Sequence, residues 1–176
     1  MDALSRLEPV SADYASLPVA AAFNWQEAAT ELAAGEWYLV VFRSIRKASA
    51  DEVRLNEFDE RAHLEAAGAP GFIHYFRGPA GPDGACLSFC LWQTRADARA
   101  AAGRPDHVRA VSLIDEMYES YTLEFHRVSR QVGGVLSFEP YDRILPVAMA
   151  EVEVDVPGLV IDGPAMPLPS QPAISF

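Results

Sequence analysis

The sequence predicts an α+β fold: one antiparallel sheet with helices against it. Three observations carry this. Segments rich in Val, Ile, Phe and Tyr alternate with helix-like segments in the order β-α-β-β-α-β. Glycine and proline punctuate the joins, above all in the run from Gly78 to Gly84. Half of the 176 residues are hydrophobic and 22% are charged, so the chain has the composition of a domain with a core.

The elements follow in order. Asn24 is placed to cap a helix from Trp25 to Ala34, with Gly35 as its stop. Trp37 to Arg46 reads as the first strand. Asp51 to Ala67 reads as a helix starting near Ser49 or Ala50 and stopped by Gly68, with the apolar stripe Leu55, Phe58, Ala62, Ala66. Gly71 to Arg77 and Ala85 to Gln93 form a hairpin of strands around the Gly/Pro loop. Thr94 caps a short helix to Ala102, and Gly103 ends it. Pro105 opens another helix at its first turn, where a missing N–H costs nothing, and this helix runs to about Ser120. Tyr121 to Arg130 is the fourth strand.

This is a ferredoxin-like arrangement over residues 36–131, with strand order 4-1-3-2 and the second crossover helix split in two. Residues 1–35 form an N-terminal flank. Residues 132–176 add a short strand (Val135 to Phe138), an edge-strand pattern (Val147 to Val156) and a Pro-rich C-terminal extension expected to lie on the core or on a partner subunit.

The net charge is −11, but it is uneven. Residues 1–35 carry one Arg and five acidic residues, and residues 132–176 carry one Arg and six; the stretch between them is nearly balanced. An acidic chain whose only lysine is Lys47 is a poor partner for nucleic acid or anionic membrane. No apolar run reaches membrane-spanning length, and no secretory signal pattern is visible, so the expectation is a cytoplasmic protein. Cys86 and Cys90 lie too far apart along a strand to bond each other and read as small buried hydrophobes.

Period-two reading gives each strand two faces. One set is Tyr38, Val40, Phe42 with Ile73, Tyr75, with Leu87, Phe89, Leu91 and with Leu123, Phe125. It is apolar and should face the helices. The other is Leu39, Val41, Arg43 with Phe72, His74, Phe76, with Cys86, Ser88, Cys90, Trp92 and with Thr122, Glu124, His126. It mixes large apolar groups with charges, too apolar for open solvent. Packing against a second copy would bury it and enclose a cavity, so a homodimer forming a dimeric α+β barrel is expected. The alternative is that the tail covers this face within one chain.

The residues also carry a resemblance. Trp92, a short helix from Arg95 to Ala102, and then His107 resemble the pattern of the dimeric α+β barrel superfamily, which includes antibiotic-biosynthesis-monooxygenase-like domains. Several segments are similar to a protein family found mainly in fungi and without an established activity. They are Glu36–Trp37–Tyr38, Phe42 to Arg46, Arg61 to Ala66, Trp92 to Arg95, Pro105–Asp106–His107, and Met117 to Tyr121. The resemblance covers roughly residues 23–138. It implies the fold and, by fold analogy, a pocket for a small, mostly apolar organic molecule. It also implies cofactor-independent oxygenation or isomerase-like proton transfer as the reaction class. Haem degradation fits poorly: the position matching the haem-degrading members' His is near Val111, and the first strand has no Asn.

Seven residues are candidates for the site. His107 heads the apolar stripe of its helix and reads as a pocket base or as a packed histidine. Arg43 on a central strand needs a partner, which is Glu124 or a ligand carboxylate. His74 and His126 share that face, and Trp92 reads as dimer packing or a stacking platform. His63 follows Asp59 by four and reads first as a helix pair, then as a weaker site candidate. No metal spacing, phosphate loop or nucleophile elbow is present, so no cofactor or metal is expected. The alternative to a ligand site is a non-catalytic interaction protein whose barrel face is only a dimer core.

Overall fold

A computed structural model describes residues 4–141 and 145–146. The expected edge strand at residues 147–156 and the Pro-rich extension lie outside the described residues. The elements are α1 (Val19–Ala22), α2 (Trp25–Ala28), β1 (Gly35–Arg46), α3 (Glu52–Ala67), β2 (Phe72–Phe76) and β3 (Ala85–Trp92). They continue with α4 (Arg95–Ala102), α5 (Pro105–Val111), α6 (Ile114–Met117), β4 (Tyr118–Arg130), β5 (Leu136–Pro140) and β6 (Leu145–Pro146). The strands form one antiparallel sheet in the order β2-β3-β1-β4-β5, with β6 also on β4. The ferredoxin-like α+β fold and the inner order 4-1-3-2 are as expected.

Local chemistry sets the helix ends. The Asp51 carboxylate accepts from the Arg54 N–H at 3.0 Å, and Thr94 Oγ1 accepts from the Asp97 N–H at 3.2 Å. The second crossover is more broken than the sequence suggests: α5 stops at Val111, and the strand begins at Tyr118, not Tyr121. Tyr118 pairs with Arg46, so ladder bonds to β1 replace a last helical turn.

The strand faces need one correction. β3 pairs with β1 through Tyr38/Trp92, Val40/Cys90 and Phe42/Ser88, so Cys86, Ser88, Cys90 and Trp92 share the helix face with Tyr38, Val40 and Phe42. Leu87, Phe89 and Leu91 therefore lie with Leu39 and Val41 on the other face. A register irregularity between Phe72 and His74 likewise puts Phe72 opposite Trp92, while His74 pairs with Leu91.

That other face is covered by the chain itself. Leu4, Leu7, Tyr14, Val19, Phe23 and Trp25 form one buried cluster with Leu39, Val41, Leu87, Phe89 and Leu91. Phe23 and Trp25 meet the Phe89 ring at 5.3 and 5.1 Å between centroids. The Gln26 side chain pairs with the Leu136 backbone, donating at 3.2 Å and accepting at 3.0 Å. Arg130 donates to the Ala29 carbonyl at 2.7 Å. Where the loop after β2 passes under Tyr14, a Cβ on Gly78 would overlap the Leu87 carbonyl and the Tyr14 hydroxyl. Among the described residues, the surface the sequence assigned to a second copy is thus occupied by residues 4–32, with Leu136 and Phe138 of β5 joining the same cluster.

This flank is not the helix expected. Helix α2 gives way to a 3₁₀ turn, Ala29–Glu31. The Asn24 side chain caps nothing. It ties the flank together instead, accepting from the Glu8 N–H at 2.7 Å and donating to the Arg6 carbonyl at 3.1 Å.

Candidate functional site

The helix face of the sheet does not close tightly against α3, α4 and α5. Between them lies a cavity of about 680 Å³, within the range of small-molecule sites. Its walls at one end are Tyr38, Ala66, Trp92, Ala98 and Ala101, and at the other Leu55, Phe58, Leu113 and Tyr118. The α3 stripe read from the sequence, Leu55, Phe58, Ala62 and Ala66, lines it throughout.

His107 reaches the cavity from α5. The Glu65 carboxylate on α3 accepts from the backbone N–H groups of Asp106 and His107, at 3.0 and 3.1 Å. It caps the otherwise unsatisfied first turn of α5 and clips that helix to α3. Burial holds the His107 imidazole below its ordinary pKa, although the Glu65 charge pulls the other way. The ring is therefore neutral near pH 7 and can accept a proton or a hydrogen bond.

His63 also lines the cavity, its ring 4.9 Å from Tyr75 and 6.2 Å from Phe72. Its expected helix partner Asp59 is engaged elsewhere: it accepts from the Tyr75 hydroxyl at 2.6 Å and pairs with Arg77 Nε at 3.1 Å. Burial, then the Asp59 charge, pushes the Tyr75 phenol well above its usual range. Tyr121 is raised in the same way, chiefly by burial, and burial also raises the Cys86 and Cys90 thiols. Every phenol and thiol named here is thus a neutral donor.

Trp92, His107 and His63 come together around this cavity. Arg43, His74, Glu124 and His126 do not: all four lie on the opposite sheet face. Arg43 bonds Glu124 and donates to the carbonyls of Ala15 at 2.5 Å and Leu17 at 2.7 Å. Glu124 also meets His126 Nε2 at 3.3 Å. The His126 hydrogen bond first, then Arg43, holds the Glu124 carboxyl below its usual range against the effect of burial. His74, on β2, lies against Phe89 of β3 and is three strand spacings (about 14 Å) from His126 on β4. Of the candidate residues on the sheet only Trp92 changes face, because β3 enters the sheet in the opposite phase to the one assumed; Arg43, His74, Glu124 and His126 lie on the face expected of them, which the N-terminal flank covers.

Sequence reading missed Asp59, Tyr75, Tyr121 and Arg46 as cavity residues. The first three had a signal: Asp59 lies beside the α3 stripe, and Tyr75 and Tyr121 share the phase of the helix-facing sets.

The PB2B2.08-like family profile matches residues 1–140, which takes in the N-terminal cover, the sheet and the cavity helices. The chain belongs to the PB2B2.08-like family. No protein of curated function matches it in sequence. Among solved structures, this PB2B2.08-like chain is similar to SnoaB of Streptomyces nogalater, described as a cofactor-independent oxygenase. The identity is 15% over 56% of this chain and 95% of that one, with TM-score 0.42. It is similar to Rv0793 of Mycobacterium tuberculosis at 13% identity over 54% and 95%, TM-score 0.46. A dimeric ferredoxin-like protein of unknown function from Thermobifida fusca aligns at 14% identity over 55% and 92%, TM-score 0.43.

Proposed function

We propose that this PB2B2.08-like protein binds a small, largely apolar organic molecule between its sheet and α3–α5, with His107 as the group that accepts its proton or hydrogen bond. The carrying observation is the cavity itself: about 680 Å³, walled by aromatic and aliphatic side chains, with a half-buried neutral imidazole on its lining. Apolar walls supply affinity by removing ligand surface from water. The few polar groups (His107, His63 and the Asp59-bound Tyr75) supply orientation.

A neutral imidazole in such a site suits proton abstraction from a phenol or an activated C–H, with the Tyr121 phenol as donor to the oxygen that gains charge, the Tyr75 proton being held by Asp59. Proton transfer of the isomerase kind, or the opening step of a cofactor-independent oxygenation, is the class this arrangement supports.

The test is a fluorescence titration with N-phenyl-1-naphthylamine, a neutral apolar probe. Saturable, blue-shifted binding is expected for the wild type. Ala62→Trp, which places an indole into the cavity, should weaken it by about tenfold or more while leaving the thermal midpoint nearly unchanged. Equal binding by both proteins would count against the cavity as the site.

A further inference from the structure

We infer, building on the cavity reading above, that the bound molecule carries an anionic group and that Arg46 receives it.

Arg46 stands at the end of β1, where the pairing with β4 shifts. Ile45 pairs with Ser120, so regular pairing would set Glu119 opposite Arg46; the shift places Tyr118 there instead. The irregularity thus removes an adjacent carboxylate from the arginine and brings in a phenol. It also turns Tyr118 to the cavity side with Ser44 and Tyr121.

The guanidinium is incompletely used. Arg46 Nε is buried and has no hydrogen-bond partner among the described residues. Nη1 lies 3.4 Å from Glu52, whose side chain is 72% exposed, so this pair is loose and screened by solvent. A buried guanidinium N–H without an acceptor is unfavourable, and a ligand anion would supply one.

The neighbours do not compete for that role. Arg77 is held by Asp59 at 3.1 Å and by Asn56. Asp59, the other carboxylate at this end, is also bonded to Tyr75. Burial keeps the Tyr118 phenol and the Cys86 thiol neutral, so neither offsets the Arg46 charge. Arg46, Arg77 and Gly78 line both the cavity and an adjoining surface depression of about 410 Å³. The anion would therefore sit near the mouth, with the apolar body running inward toward His107 and Trp92. A carboxylate on an aromatic or aliphatic skeleton fits this layout.

Two probes that differ only by a sulfonate test it: 8-anilinonaphthalene-1-sulfonate and the neutral N-phenyl-1-naphthylamine. Wild type should bind the sulfonate about tenfold more tightly. Arg46→Met should bring the sulfonate down to the neutral probe's affinity and leave the neutral probe within about twofold. Glu52→Gln, a change at an exposed position that should fold normally, should strengthen sulfonate binding about twofold with no effect on the neutral probe. If both probes bind and neither substitution changes their ratio, the anion assignment fails while the cavity stands. If sulfonate binding survives Ala62→Trp unchanged, the sulfonate is not in the cavity and the assignment fails. If the neutral probe does not bind the wild type at all, the cavity reading fails first.

Discussion

Arg43 and Glu124 are bonded to each other on the sheet face that points away from the cavity, under residues 4–32. The same guanidinium holds the Ala15 and Leu17 carbonyls, so the pair fastens the N-terminal cover to β1 and β4. Charged groups that looked like ligand contacts therefore serve the fold. The cavity uses the other side of the same strands, so flank docking and ligand binding can be perturbed separately.

Arg43→Met should destabilise the protein by about 2–4 kcal/mol, because it strands a mostly buried carboxylate and two carbonyls. Urea denaturation measures this. Probe binding in the cavity should be unchanged wherever the variant is folded, since Arg43 does not line it.

Among the described residues, two groups contribute to the acid limb of stability. The Glu124 pKa is lowered on folding, so its contribution is present above the unfolded value of about 4.3 and is lost as pH falls through the folded value. The His107 pKa is also lowered: the folded protein resists its protonation, and stability falls as pH drops below about 6.5. Urea midpoints against pH should show His107→Gln flatter than wild type just below pH 6.5, and Glu124→Gln converging on wild type only in stronger acid.

Deleting residues 1–32 should uncover Leu39, Val41, Leu87, Phe89 and Leu91, a contiguous apolar face. The truncated chain should associate or precipitate at concentrations where the full chain does not, as read by size-exclusion chromatography with light scattering. A truncated chain that is folded and elutes at its own monomer mass would mean that the face needs no cover.

Glu65→Ala removes the acceptor for two backbone N–H groups at the start of α5 and should cost about 1–2 kcal/mol. It should also let His107 move, weakening neutral-probe binding more than stability predicts. Glu65→Gln, which keeps an acceptor oxygen, should restore most of the binding.

Element order, the α3 stripe and the Thr94 cap were legible because each is a local pattern of period, cap or stop. Sheet faces were half legible. Period two divides Cys86–Trp92 into two sets, but which set joins Tyr38 and Val40 depends on inter-strand register, which the sequence does not display. That choice moved Trp92 away from Arg43. The Arg43–Glu124 pair was readable from neighbouring strands of like phase. The N-terminal cover was not, since helical turns of four residues or fewer carry no periodicity. Its signal was compositional: Tyr14, Phe23 and Trp25 in a flank otherwise thought peripheral. The shift that gives Arg46 its setting leaves no mark in the sequence.

A crystal structure of the full chain with N-phenyl-1-naphthylamine tests the ligand cavity most directly. The expected result is the naphthalene between the sheet and α3, in contact with Trp92 or Phe58, with the His107 ring facing it. A probe bound elsewhere, with side chains filling the space between sheet and helices, would contradict the cavity as the functional site.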